Sequence, residues 1–234
     1  MNKIFFILYR VHKNMNELLK KLPAGVHPCL MPGIVGDLEV EWNFPCDVDT
    51  QYLALIGHPH SLQGGTMQNK VVTTLVRLFS EFNVPSVRFN FRGVGQSAGT
   101  YDAGIGESLD MLVLANAWLT EHPTSKLFFA GFSFGSYVAY RAAAQIQHGL
   151  LLTVAPSVQK HSYQEFANMP APWIIAHGDQ DQVVPVSAVL EMVESCAPNI
   201  ILERFPLAEH FFHGQLIELK TRLAHVLNAQ GIFK

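Results

Sequence analysis

The run Gly131-Phe132-Ser133-Phe134-Gly135 sets a hydroxyl between two glycines. A serine oxygen is a weak nucleophile until a base takes its proton, and that base needs an acid partner to fix its tautomer and stabilise its cation. The chemistry open to such a serine is attack on an acyl carbon. The five-residue pattern is a weak signal alone, but an apolar strand pattern over 126–130 precedes it and a small-residue helical pattern over 137–144 follows. Strand, sharp turn and helix together predict a nucleophile elbow, in which the glycines supply space for the crowded turn and Ser133 projects above the sheet edge. The helix behind the turn directs its first N-H groups at developing negative charge, with that of Phe134 nearest.

The partners are expected downstream. His177-Gly178-Asp179-Gln180-Asp181 leaves an apolar strand for a polar loop, which sets a carboxylate at the strand's carboxyl end; Asp179 and Asp181 compete for that role. After the next strand, Glu209-His210-Phe211-Phe212-His213-Gly214 offers His210 or His213, either of which can reach back over the site from a loop. A second oxyanion donor is expected in Gly57-His58-Pro59-His60-Ser61, after an earlier strand. Pro59 has no N-H, so His60 is the better donor and Ser61 the next. His58 and His60 suggest a metal by type, yet no further ligand stands at suitable spacing, so no metal and no other cofactor is expected.

These loops must be positioned by a sheet. Strands are predicted over 38–44, 52–56, 86–91, 126–130, 150–154, 173–176 and 200–204, the central ones nearly all apolar, as strands covered on both faces are. Helical periodicity is clear over 67–82 and 107–119, and further helices are expected after Ser133, Pro185 and Phe211, with Pro185 suited to a first helical turn. Strands alternating with helices predict an α/β fold: a doubly wound, mostly parallel sheet of about seven or eight strands with helices on both faces. About 18 residues separate the strands at 150–154 and 173–176, too few for an inserted lid domain, so an open site is expected.

The 234 residues fit a single domain, placed at 31–234, with 1–30 as an amino-terminal extension of which 1–14 is the loosest part. An apolar fraction of 49% against 15% charged residues is enough to cover both faces of the sheet. Net charge is -3, spread along the chain without a basic stripe, which argues against a nucleic-acid partner. Cys29, Cys46 and Cys196 follow neither a disulfide nor a zinc spacing and are expected as reduced, mostly buried thiols. The apolar run at 4–9 is too short for a signal-peptide core, and no stretch approaches the roughly 20 apolar residues of a membrane span, so a cytoplasmic protein without a membrane partner is expected.

With these residues assembled, the chain resembles the α/β-hydrolase superfamily from about Gly36 onward, in particular small lidless bacterial members related to dienelactone-hydrolase-like esterases. The resemblance rests on His58-Pro59-His60 with Gly64-Gly65-Thr66-Met67, on Arg88-Phe89-Asn90-Phe91-Arg92-Gly93-Val94-Gly95-Gln96-Ser97, and on the elbow and the two loops after it. It implies Asp181 as the triad acid, with Asp179 a turn residue, and His210, immediately before the paired aromatics, as the triad histidine. It implies a structural role for the Arg92 turn. Pro59 departs from the glycine that many relatives carry there. The implied activity is that of a serine hydrolase cleaving a small ester through an acyl-enzyme on Ser133. A thioesterase or short-peptide hydrolase with the same triad, or a binding protein that has kept the fold without the chemistry, are the alternatives.

Overall fold

The computed structural model describes residues 24–167, 169–196 and 200–233. Eight strands form one sheet: β1 Gly25–Pro32, β2 Asp37–Phe44, β3 Tyr52–Gly57, β4 Ser86–Phe89, β5 Lys126–Phe132, β6 Leu150–Val154, β7 Trp173–Gly178 and β8 Ile200–Phe205. Their spatial order is β1-β2-β4-β3-β5-β6-β7-β8. β2 runs antiparallel to both β1 and β4, and from β4 to β8 all neighbours are parallel. Parallel neighbours need crossovers, and apart from the turns that join β6 to β7 the crossovers carry helices, which cover the sheet on both sides. That is why β3, β6 and β7 are buried along their whole length and are written almost wholly in apolar residues.

Five helices are described: α1 Lys70–Ser80, α2 Ile105–Glu121, α3 Phe134–Ala143, α4 Val186–Ser195 and α5 Leu216–Ala229. α1 turns Val71, Val72, Leu75, Leu78 and Phe79 into one core, shared with Leu219, Leu223 and Leu227 of α5. It starts at Lys70, later than the periodicity suggests, because the Asn69 side chain accepts the N-H of Val71 at 2.9 Å and caps the helix there. The opposite core takes Met111, Leu114 and Trp118 of α2, the buried face of α3 and Val189 of α4. In it Trp118 stacks on Trp42 of β2, with ring centroids 6.0 Å apart.

Three expectations are corrected. β1 is an unpredicted strand that crosses the boundary drawn at residue 30: Gly25 to Pro32 pair with Phe44 to Asp37. The remainder of the expected extension, residues 1–23, lies outside the described residues. The thiols are free but not buried: Cys46 is exposed in the turn after β2, and Cys29, on an edge strand, and Cys196, at the end of α4, are half-buried. Pro185 precedes the first residue of α4 instead of occupying its first turn. The 18 residues from 155 to 172 form turns and bends with no helix or strand among those described.

Candidate active site

β5 lies at the centre of the sheet, with Gly131 in register with Gly57 of β3 and Thr153 of β6. It ends at Phe132 and α3 begins at Phe134, leaving Ser133 to make the whole turn at φ 54° and ψ -117°. A positive φ is unfavourable for an L-residue and persists only where the surroundings enforce it. Here the Ser133 N-H donates to the Val154 carbonyl at 2.9 Å, and the Ser136 hydroxyl bridges the carbonyls of Gly131 and Val154 at 2.9 and 3.1 Å. The glycines are needed for close approach. A β-carbon on Gly131 would lie 2.1 Å from the Gly135 carbonyl oxygen, and one on Gly135 would lie 2.3 Å from that of Gly57.

Two loops from the next strands converge on Ser133. Beyond β7, the Asp181 carboxylate accepts the N-H groups of Val183 and Val184 at Oδ1, both at 2.8 Å, and receives Nδ1 of His210 at Oδ2, 2.7 Å away. Burial alone would raise this carboxyl, but the hydrogen bonds from His210 and from the Val184 and Val183 N-H groups outweigh it and hold it below the usual carboxylate range. An ionised Asp181 only accepts, so the His210 proton sits on Nδ1 and Nε2 presents its lone pair. That nitrogen lies 3.1 Å from Ser133 Oγ.

The acid loop and the histidine loop are tied together. Asp179 N-H donates to the Phe205 carbonyl and Gln180 N-H to the Ala208 carbonyl, at 2.9 and 3.0 Å. Gly178 makes this approach possible, since a β-carbon there would stand 2.2 Å from the Ala208 carbonyl oxygen. His177, wholly buried, places Nε2 3.0 Å from the Val184 carbonyl oxygen and so steadies the far side of the acid loop. The competing residues point elsewhere. Asp179 pairs with Arg204 at 2.9 and 3.0 Å, and His213 pairs with Glu209 at the surface.

The loop after β3 brings His60 beside the elbow, with its ring 5.1 Å from that of Phe134. His60 accepts the N-H groups of Gln63 and Gly65 at its carbonyl, which closes the loop into a short 3-10 turn. His58 is a structural residue: Nε2 accepts the Phe91 N-H at 2.9 Å and Nδ1 faces the Pro59 carbonyl at 2.6 Å. Burial lowers its pKa to about 4, with the Pro59 contact opposing, so it is neutral at pH 7. Among the described residues no group of three potential metal ligands comes together.

The segment 88–97 braces this loop from behind. Arg88 pairs with Glu41 and donates to the Met67 carbonyl at 2.8 Å, while the Asn90 side chain accepts the Met67 N-H at 2.9 Å. Arg92 is buried against Asp110 of α2, 2.5 Å away. None of these side chains faces Ser133.

Ser133 opens into a cleft of about 170 Å³. Of the four aromatics near the elbow, Phe134 and Phe211 line it, and only Phe211 is exposed; Phe132, Phe134 and Phe212 are buried. The sequence reading missed the wall formed by Ser157, Gln159, Lys160 and His161. This stretch has no periodicity to mark it; its place after β6, at the carboxyl end of a parallel strand, is the one signal available, since such sheets bind ligands there.

No protein-family model matches the sequence. The chain is 34% identical over 184 residues to an uncharacterized protein of Rickettsia prowazekii, an alignment covering 73% of this chain and 76% of that protein. An α/β serine hydrolase homologue from Coxiella burnetii superposes with a TM-score of 0.82 and 40% identity, over 86% of this chain and 97% of that one. An α/β serine hydrolase without lid from Xanthomonas campestris gives a TM-score of 0.84 and 38% identity, over 89% and 96% of the two chains. The eight-stranded sheet with its uninterrupted passage from β6 to β7 and this degree of likeness lead to one conclusion: the chain belongs to the α/β serine hydrolases, among the small members that lack a lid.

Proposed function

We propose that this hydrolase cleaves a small carboxylic ester through an acyl-enzyme on Ser133. The reading is carried by a single chain of contacts, with Asp181 2.7 Å from one nitrogen of His210 and Ser133 Oγ 3.1 Å from the other. His210 Nε2 takes the hydroxyl proton as Oγ bonds to the ester carbonyl carbon. The oxyanion is held by the N-H groups of Phe134 and His60. Collapse of this intermediate breaks the bond to the alkoxide, which leaves with the proton from His210. Water then attacks the acyl carbon, gives a proton to His210, and the acid departs as Ser133 regains its hydrogen. Asp181 keeps His210 in the working tautomer throughout.

The Phe134 N-H suits its part because it opens α3 and, like every N-H of a first helical turn, has no acceptor within its own helix. A cleft of about 170 Å³ suits a small-molecule substrate. Hydrolysis of 4-nitrophenyl butyrate, with covalent labelling by a fluorophosphonate, tests the reading. Ser133→Ala should abolish labelling and lower kcat/KM by about 10⁴-fold or more. A wild-type protein that neither labels nor turns over the ester refutes it, and a panel of matched thioesters and amides ranks the acyl classes.

A further inference from the structure

Among the described residues, three histidines and one lysine line the cleft, and no aspartate or glutamate does. This is unexpected for a chain of net charge -3. The nearby carboxylates are already committed. Glu107 accepts the N-H groups of Asp102 and Gly104 at 2.8 and 2.9 Å, Glu165 is held by Tyr137 and Arg141, and Asp181 has its three donors. Lys160 is exposed at the rim and enters no ion pair among the described residues.

The turn that carries Lys160 is fixed over the elbow. The Ser157 hydroxyl lies 3.4 Å from the Ser133 carbonyl oxygen and 2.9 Å from Nδ1 of His161, and the Ser157 carbonyl accepts the N-H groups of both Lys160 and His161. The His161 ring stacks on Tyr137 with centroids 4.3 Å apart and stands 5.4 Å from Phe134. Burial, and then the charge of Lys160, holds His60 below the ordinary imidazole range. His161 is likewise lowered by burial, opposed by the Ser157 backbone, with His60 and Lys160 adding to the lowering. The wall therefore combines a cation that enters no ion pair among the described residues with two neutral imidazoles.

The other wall is apolar. Phe211, adjacent to His210 with ring centroids 5.1 Å apart, and Val183 are both substantially exposed and line the cleft. A leaving alkoxide must collect its proton from His210 and so lies on this side, which leaves the acyl chain to the side of Lys160 and His161.

Building on the acyl-transfer reading of Ser133, we propose that the acyl part of the substrate ends in a carboxylate held by Lys160 and His161, and that the alcohol is apolar. The substrate class is thus a half-ester of a dicarboxylic acid. One lysine beside neutral imidazoles matches a single negative charge; a phosphate would bring nearly two.

The test compares mono-(4-nitrophenyl) adipate with its methyl-capped diester, which lacks the free charge and is larger by one methyl group. Wild-type kcat/KM should favour the half-ester by about tenfold at low salt, the scale of a charge-assisted hydrogen bond, and the preference should shrink as ionic strength rises. Lys160→Met should bring the ratio close to one while still being labelled by a fluorophosphonate. Lys126→Met, at the other end of β5, should leave the ratio unchanged. Equal rates on the two esters with labelling intact, or an unaltered ratio in Lys160→Met, overturn the carboxylate assignment and leave the hydrolase reading standing. Absence of both labelling and turnover overturns the two together.

Discussion

Asp181 and His210 come from loops after successive strands, yet one carboxylate oxygen of the first lies 2.7 Å from Nδ1 of the second. The other oxygen is fixed by two N-H groups, so the carboxylate cannot rotate away without breaking both. Asp181→Asn keeps the shape but can place an amide donor against Nδ1, which favours the tautomer with Nε2 protonated and useless as a base. We expect kcat to fall by about 10³- to 10⁴-fold with KM little changed, as read in steady-state ester hydrolysis. A fall of less than tenfold would remove Asp181 from the mechanism.

Gly178 offers a test in which stability and activity move together. Its added β-carbon would meet a backbone oxygen, that of Ala208, at 2.2 Å, and backbone yields less readily than the end of a side chain. Gly178→Ala should cost about 1 to 3 kcal/mol in urea unfolding, the usual scale of overpacking. It should also lower kcat, because relief of the clash separates the loops that bear Asp181 and His210. Full activity in a destabilised variant would show that the two loops are not coupled.

Acid sensitivity follows from His58. Its pKa is lowered in the fold to about 4 from 6.5, so between those values the unfolded chain binds a proton that the folded protein refuses. Stability therefore rises with pH through this window: the contribution is complete above about 6.5 and is lost as pH falls towards 4, to about 3 kcal/mol from this group. A second buried imidazole, His177, is lowered by burial and adds in the same direction. Thermal unfolding followed from pH 7 to pH 4.5 should show the decline. His58→Asn, which can still accept the Phe91 N-H but does not titrate, should be less stable at pH 7 and flatter with pH; an identical slope in the two proteins would count against the assignment.

Much of the fold was legible because its parallel strands are covered on both faces and so are spelled in unbroken apolar runs, as in Leu150 to Val154. β1 was not, and for a physical reason. As an edge strand it is largely exposed, it tolerates Pro28 and Pro32, and it needs no apolar alternation. Ser133 was legible because the elbow forces glycines at fixed offsets around it. The choices between Asp179 and Asp181, and between His210 and His213, were open to local reasoning because each pair occupies one loop; only the direction of the side chains separates them. Lys160 and His161 carried no periodic signal, only their place after β6, since an irregular turn that contributes side chains to a cleft has no pattern to obey.

The short passage from β6 to β7 also bears on how the protein meets its substrate. Among the described residues only turns and bends lie between Val154 and Trp173, so no lid domain is inserted above Ser133. Lidded hydrolases can tie activity to a surface that pulls the cover aside. With no inserted cover among the described residues, the proposed reaction needs no interface to open the site, so substrate dispersed in water and substrate gathered in droplets should react alike.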